Sequence, residues 1–240
     1  MQGINKMVFG KSWDNFIRGS SQKKEAEKND GSGDFTEYKK YDGYYSMLEQ
    51  MPLLLQEGYK PASLNQIAKL TLEGGLDFNS CYDSSSAIVY AGGAQDIFKL
   101  LSFSQAIEWL NPKTQLYFGG VPITQTEYES LDGKEFSGED MILNEWLTKE
   151  QVLDHMGWLT LFSYDKDLLE QYVTEKIKLM RTGQGKKTKT MMFHFRNRGN
   201  NDNLPYLRSV RTDGLFGGNV VGGGHDFNYF SARIVGVRGD

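Results

Sequence analysis

The last fifth of the chain carries its strongest constraint. From Phe193 to Asp240, 48 residues contain no Lys, Glu, Gln, Met or Trp, whereas the 192 before them contain 59 (19 Lys, 15 Glu, 12 Gln, 9 Met, 4 Trp). At the upstream frequency about 15 would fall in the tail. A Gly-rich strand-and-loop segment is naturally poor in Lys, Glu and Gln, but halving the expectation still leaves zero far below it. Residues 196–240 hold nine glycines and six asparagines and end on a strand pattern, Ala232-Arg-Ile-Val-Gly-Val237. Leu207, Ile234, Val235 and Val237 are apolar enough to anchor strands, and Phe216 and Phe227 are candidate core plugs.

The rest of the chain mixes helices with short strands. Tyr45, Leu48, Met51 and Leu55 recur at three- and four-residue spacing and predict a helix in the stretch that begins at Tyr41. Ser63-Leu-Asn-Gln66 is a capping box that opens a short helix ending at Gly74-Gly75. Ala87–Tyr90 and Ile97–Phe98 read as a hairpin, and Leu116–Phe118 as a strand. Thr126-Glu-Tyr-Glu129 predicts a helix stopping at Gly133, and Thr148-Lys-Glu-Gln151 one running through Trp158 to Phe162. Asp165–Arg181 is the strongest helix in the chain, with Leu168, Leu169, Tyr172, Val173, Ile177 and Met180 on its apolar face. Thr182–Lys189 reads as a basic loop and Thr190–Phe195 as a strand.

Composition excludes several classes. A net charge of −4 lacks the basic excess of a general nucleic-acid binder. No apolar run is long enough for a membrane span or a secretory signal. Synthesis in the cytosol is expected, with display on a cell surface or virion left open. One cysteine, Cys81, forbids any internal disulfide, so core burial must hold the fold. Residues 19–34 contain a single Ala and no larger apolar residue, so 1–35 reads as a flexible segment and linker before a domain at 36–240.

Sites for chemistry are sparse. Gly183-Gln-Gly-Lys-Lys-Thr188 fails as a phosphate loop, because Met180 stands where the first glycine belongs and Lys187 follows Lys186. Gly222-Gly-Gly224 does not complete a dinucleotide fingerprint and reads as a turn. His155, His194 and His225 lie on separate segments without metal-ligand spacing. Neither metal nor cofactor is expected, and no catalytic residue is assigned.

The five missing residue types share one genetic property. They are the amino acids that cannot arise when both adenines of the asparagine codon AAY are randomised. Asn, Tyr, Asp, His, Ser, Gly, Phe and Arg, which fill the tail, can. The tail also presents Leu207-Arg-Ser209, then Asp213-Gly-Leu-Phe-Gly-Gly218 through Gly224-His-Asp-Phe-Asn-Tyr-Phe-Ser231, then Ala232-Arg-Ile-Val235. In that order it resembles the variable region of diversity-generating-retroelement variable proteins. The resemblance covers about 45 of the 240 residues. It implies a C-type-lectin fold related to formylglycine-generating enzymes: α+β, a twisted and mainly antiparallel sheet flanked by helices, with the domain ends close together. No Glu-Pro-Asn or Trp-Asn-Asp sugar motif is present, and the lectin disulfides are impossible.

A diversified surface over about 196–235 would recognise a macromolecular ligand, protein or surface glycan, without catalysis. Tyr, Asn, Ser and Gly suit such a surface because aromatics give rigid contact area and small polar groups adapt their hydrogen bonds. The candidate face is Ser209, Arg211, Asn219, His225, Asp226, Asn228, Tyr229, Phe230 and Ser231, with Asn200, Asn201, Asn203 and Tyr206 as a second group. Two rivals stay open: a structural or virion-assembly protein without a variable site, and a formylglycine-generating-enzyme-like oxidoreductase using Cys81 or a histidine-bound metal. Oligomeric state is not set by the sequence.

Overall fold

The computed structural model describes residues 35–42, 45–93, 97–117, 119–184, 189–194, 204–212, 220–225, 227–228 and 232–239. Residues 1–34 of the expected N-terminal segment lie outside them, as does Phe216, while Phe35 packs against Val235 and Val237 and their neighbours. Among the described residues there are eleven strands: β1 (Glu37–Asp42), β2 (Lys60–Pro61), β3 (Tyr82–Tyr90), β4 (Phe98–Leu101), β5 (Val121–Pro122), β6 (Lys134–Phe136), β7 (Trp146–Thr148), β8 (Lys189–His194), β9 (Tyr206–Thr212), β10 (Val220–His225) and β11 (Arg233–Arg238). The helices are α1 (Met47–Gln56), α2 (Leu64–Leu72), α3 (Gln105–Glu108), α4 (Gln125–Ser130), α5 (Lys149–Asp154), α6 (Met156–Leu161) and α7 (Lys166–Gln184).

The strands form one sheet with the path β1-β11-β3-β9-β10-β8-β7, to which β2, β4, β5 and β6 attach. Pairing is antiparallel except between β10 and β8 and between β11 and β3. The tail therefore builds β9, β10 and β11 inside the sheet rather than hanging from it. β11 lies between β1 and β3, and the Thr36 N–H donates to the Arg238 carbonyl at 2.9 Å, so the two ends of the domain meet.

Both faces of the central strands are covered. On one, Tyr206 and Val210 of β9 pack with Met191 and Phe193 of β8 and with Trp158, Leu161, Leu169 and Val173. On the other, Leu207 and Ile234 join Ala87, Val89, Met51, Leu54 and Phe227. Each fully buried Val, Leu, Ile, Met or Phe among them contributes about 1.5–3 kcal/mol. Val235 and Val237 pack with Ile67 and Leu70 of α2.

Several local expectations shift. Tyr41 lies in β1, and α1 starts after the Ser46/Glu49 capping box. α2 follows its Ser63/Gln66 box as expected. α4 is capped by Thr124, not Thr126, and ends before Leu131, where the Lys99 ammonium donates to the Tyr128 and Leu131 carbonyls. The helix expected through Phe162 breaks at His155 into α5 and α6. α7 runs on to Gln184, taking in the start of the expected basic loop. Tyr117 makes only an isolated bridge to Gly120. Gly222–Gly224 belongs to β10 and is not a turn, because its backbone pairs with β9 on one side and β8 on the other.

Candidate functional site

Strand register places one row of residues across the sheet. His194 of β8 stands opposite Gly222 of β10, Gly222 opposite Arg211 of β9, Arg211 opposite Asp83 of β3, and Asp83 opposite Ile234 of β11. Directly opposed residues share a face. Along this row cover thins: Ile234 and Asp83 are buried, while Arg211 and His194 are half-buried. In the next row Trp146 of the edge strand β7 stands opposite Met192, which stands opposite Val220. Trp146 is 36% exposed and Met192 half-buried. Exposure on this face thus rises toward β8 and β7.

The candidate tail residues separate on this frame. Ser209 is fully buried on the covered part of that face, its hydroxyl donating to the Ser84 carbonyl at 2.8 Å. Tyr206 is 2% exposed and stacks on Tyr90 with ring centroids 4.7 Å apart. Both leave the candidate face, Tyr206 because it packs into the core on the opposite face of β9 and Ser209 because it is enclosed against Ser84 and Ala87 of β3. Arg211 stays on it, half-buried. His225 stands in β10, opposite Ser209 in backbone register. Asn228 is exposed and follows Phe227, whose side chain is fully buried and whose N–H donates to the Gly119 carbonyl at 2.8 Å. Phe227 is thus the core plug expected of it, and it fixes the base from which Asn228 projects. Asn200, Asn201, Asn203, Asn219, Asp226, Tyr229, Phe230 and Ser231 lie outside the described residues.

Asn219 precedes Val220 and Asp226 follows His225, the two ends of β10. Six residues of strand set those ends about 17 Å apart. Trp146, Met192 and His194 line the same open side and were not singled out from the tail. Long-range pairing of β7 with β8 brings Trp146 there, and no local pattern at residue 146 announces it.

Of the residues considered for chemistry, His155 is committed to packing and capping. The ring of His155 is buried against Phe193, centroids 5.2 Å apart. Its Nδ1 accepts from the Trp158 N–H at 3.3 Å and caps α6, and its Nε2 faces the Ile142 carbonyl at 2.9 Å. These partners assign the neutral Nε2–H tautomer. Burial holds its pKa below the ordinary imidazole value. Cys81 is half-buried just before β3. Among the described residues no three His, Cys, Asp or Glu cluster as metal ligands, and no helix is long and apolar enough to cross a membrane.

A sheet whose first and last strands pair, whose C-terminal strands lie inside it, and whose helices flank it defines an α+β protein with the C-type lectin fold. A solved structure sharing it is a C-type lectin fold from Nanoarchaeota, described as accommodating massive sequence variation. The likeness has a TM-score of 0.60 and 11% identity, over 84% of this chain and 98% of that one. At such identity it establishes the fold. No protein-family model and no curated protein matches the chain.

Proposed function

We propose that this protein is a non-enzymatic recognition protein that displays a diversified C-terminal surface to a macromolecular ligand, as retroelement-diversified variable proteins do. The observation that carries the reading is the position of the tail. Its strands β9 and β10 run inside the sheet, with Arg211 half-buried on β9 and Asn228 exposed just after the buried Phe227. A side chain at Asn228 can change without touching the core that Leu207, Val210 and Phe227 supply. The missing Lys, Glu, Gln, Met and Trp supports diversification at exposed positions only, since many tail residues are core and would be fixed in any case.

The described nitrogens of His155 are both spent on structure, which favours recognition over acid–base chemistry at that residue. Half-buried Arg211 and exposed Trp146 are residue types that anchor protein interfaces, which favours a protein ligand over a surface glycan. A net charge of −4 disfavours nucleic acid.

Sequencing the adjoining DNA tests the proposal. A reverse-transcriptase gene, with a near-copy of the tail-coding stretch differing at adenines, is the expected result. A locus with neither would overturn diversification and leave a fixed structural role as the better reading.

A further inference from the structure

His155 joins three separate pieces of the fold. The piece before β7 is held twice: the Ile142 carbonyl meets His155 Nε2 at 2.9 Å, and the Asn144 N–H donates to the Phe193 carbonyl at 2.9 Å. The start of α6 is held by the Trp158 N–H on Nδ1. β8 is held by the stack of the imidazole on Phe193. Packing is close: a Cβ at Gly157 would stand 2.7 Å from the Phe193 ring and 3.1 Å from the imidazole.

We propose that His155 is an acid-sensitive latch, whose protonation at Nδ1 frees the segment leading into β7 and loosens the β7–β8 edge of the sheet. The geometry leaves the added proton no acceptor. Protonated Nδ1 is a donor aimed at another donor, the Trp158 N–H, so the cap must break. Once the ring swings out to water, the Ile142 carbonyl loses its partner and Phe193 its stacked neighbour. Breaking a buried pair this way leaves unsatisfied groups, which favours local opening over a strained closed state. Trp146 rides on the released strand, so the open side of the sheet is remodelled at the same time.

The charged groups around the latch do not offset the new charge. α6 carries none. On α5, Asp154 is exposed and paired with Lys166. In the segment before β7, Asp140 accepts from the Ser137 backbone, and Glu139 and Glu145 are exposed. On β8, His194 follows Phe193 and points to the opposite face of the sheet. Burial accordingly dominates the downward shift in the His155 pKa, with no charged group contributing. The sign follows. A base less easily protonated folded than unfolded costs stability as pH falls below its ordinary value near 6.5.

The test is hydrogen–deuterium exchange on the whole chain near pH 8 and near pH 5, corrected for intrinsic exchange, with His155→Asn beside the wild type. Asn retains an N-cap acceptor and does not titrate. In the wild type, amides in 142–148 and 191–194 should open at low pH, by about tenfold for each unit of pKa depression, while β3 and β11 stay protected. In His155→Asn this acid response should vanish. An unchanged acid response in the variant, uniform opening across the chain, or none in the wild type would each overturn the latch. If His155→Asn fails to fold, NMR titration of the wild-type imidazole decides: titration at or above the ordinary value sinks the proposal.

Discussion

The Arg238 guanidinium lies 3.1 Å from the Glu37 carboxylate, joining residues 201 positions apart. The same guanidinium donates to the Glu57 and Gly58 carbonyls at the end of α1 and stacks over Tyr59 at 4.3 Å. One side chain thus ties β11 to β1 and to the helix before β2. Arg238→Ala should lower stability by about 1–2 kcal/mol, and Glu37→Gln by less, because only the arginine also caps carbonyls. Urea unfolding at low and high salt checks this. Equal losses for the two variants would show the ion pair alone to matter.

Acid should weaken the fold in a second window, distinct from that of His155. The Ser46 N–H and hydroxyl both donate to Glu49, and Ser137 does so to Asp140, holding each carboxylate below its usual pKa. Carboxylates with depressed folded-state pKa values stabilise above the unfolded value, and that contribution is lost as pH falls through it. Urea midpoints should therefore decline below about pH 4.5, the ordinary glutamate value. Glu49→Gln should make the decline shallower. A variant with an unaltered pH slope would remove the cap from the explanation.

Phe227 anchors the segment that presents Asn228. It is fully buried among Leu207, Ile234 and Met51, with its N–H on the Gly119 carbonyl. Phe227→Ala should cost about 3–5 kcal/mol, as large aromatic deletions from cores do. Thermal unfolding measures it, and a loss under about 1 kcal/mol would mean the ring is not a structural plug.

What could be read from the sequence was what local chemistry decides. The capping boxes at Ser63 and Thr148 are satisfied within four residues, and the apolar run at 234–237 needs only burial, so both stood out. Thr124 and Thr126 each have a glutamate three residues on, and tertiary contacts choose between them: Val121 pairs with Leu207 and the Ile123 N–H donates to Pro205, holding the chain extended up to Thr124. β3 was half hidden because Ser84 and Ser86 look like loop residues. Their hydroxyls donate to the Val210 and Ser102 carbonyls, and that makes polar residues tolerable in a buried strand. Asn228 was legible as surface beside an aromatic plug. Ser209 was not legible as core, since nothing in Leu-Arg-Ser says that this part of the β9 face is covered and that the Ser84 carbonyl waits there for a hydroxyl.

That contrast between Ser209 and Asn228 gives the sharpest check on the candidate face. Both were grouped by residue type, yet one hydroxyl is enclosed by β3 and the other side chain faces water. A tyrosine at 209 has no room beside Ser84 and Ala87, whereas a tyrosine at 228 displaces only solvent. Ser209→Tyr should lose about 3 kcal/mol or fail to fold, while Asn228→Tyr should stay within about 0.5 kcal/mol of the parent. Chemical unfolding of the two variants side by side reads this directly. A surface that varies must tolerate replacement where it varies, so a severe loss at Asn228 would remove it from any diversified set, and tolerance at Ser209 would return it to one.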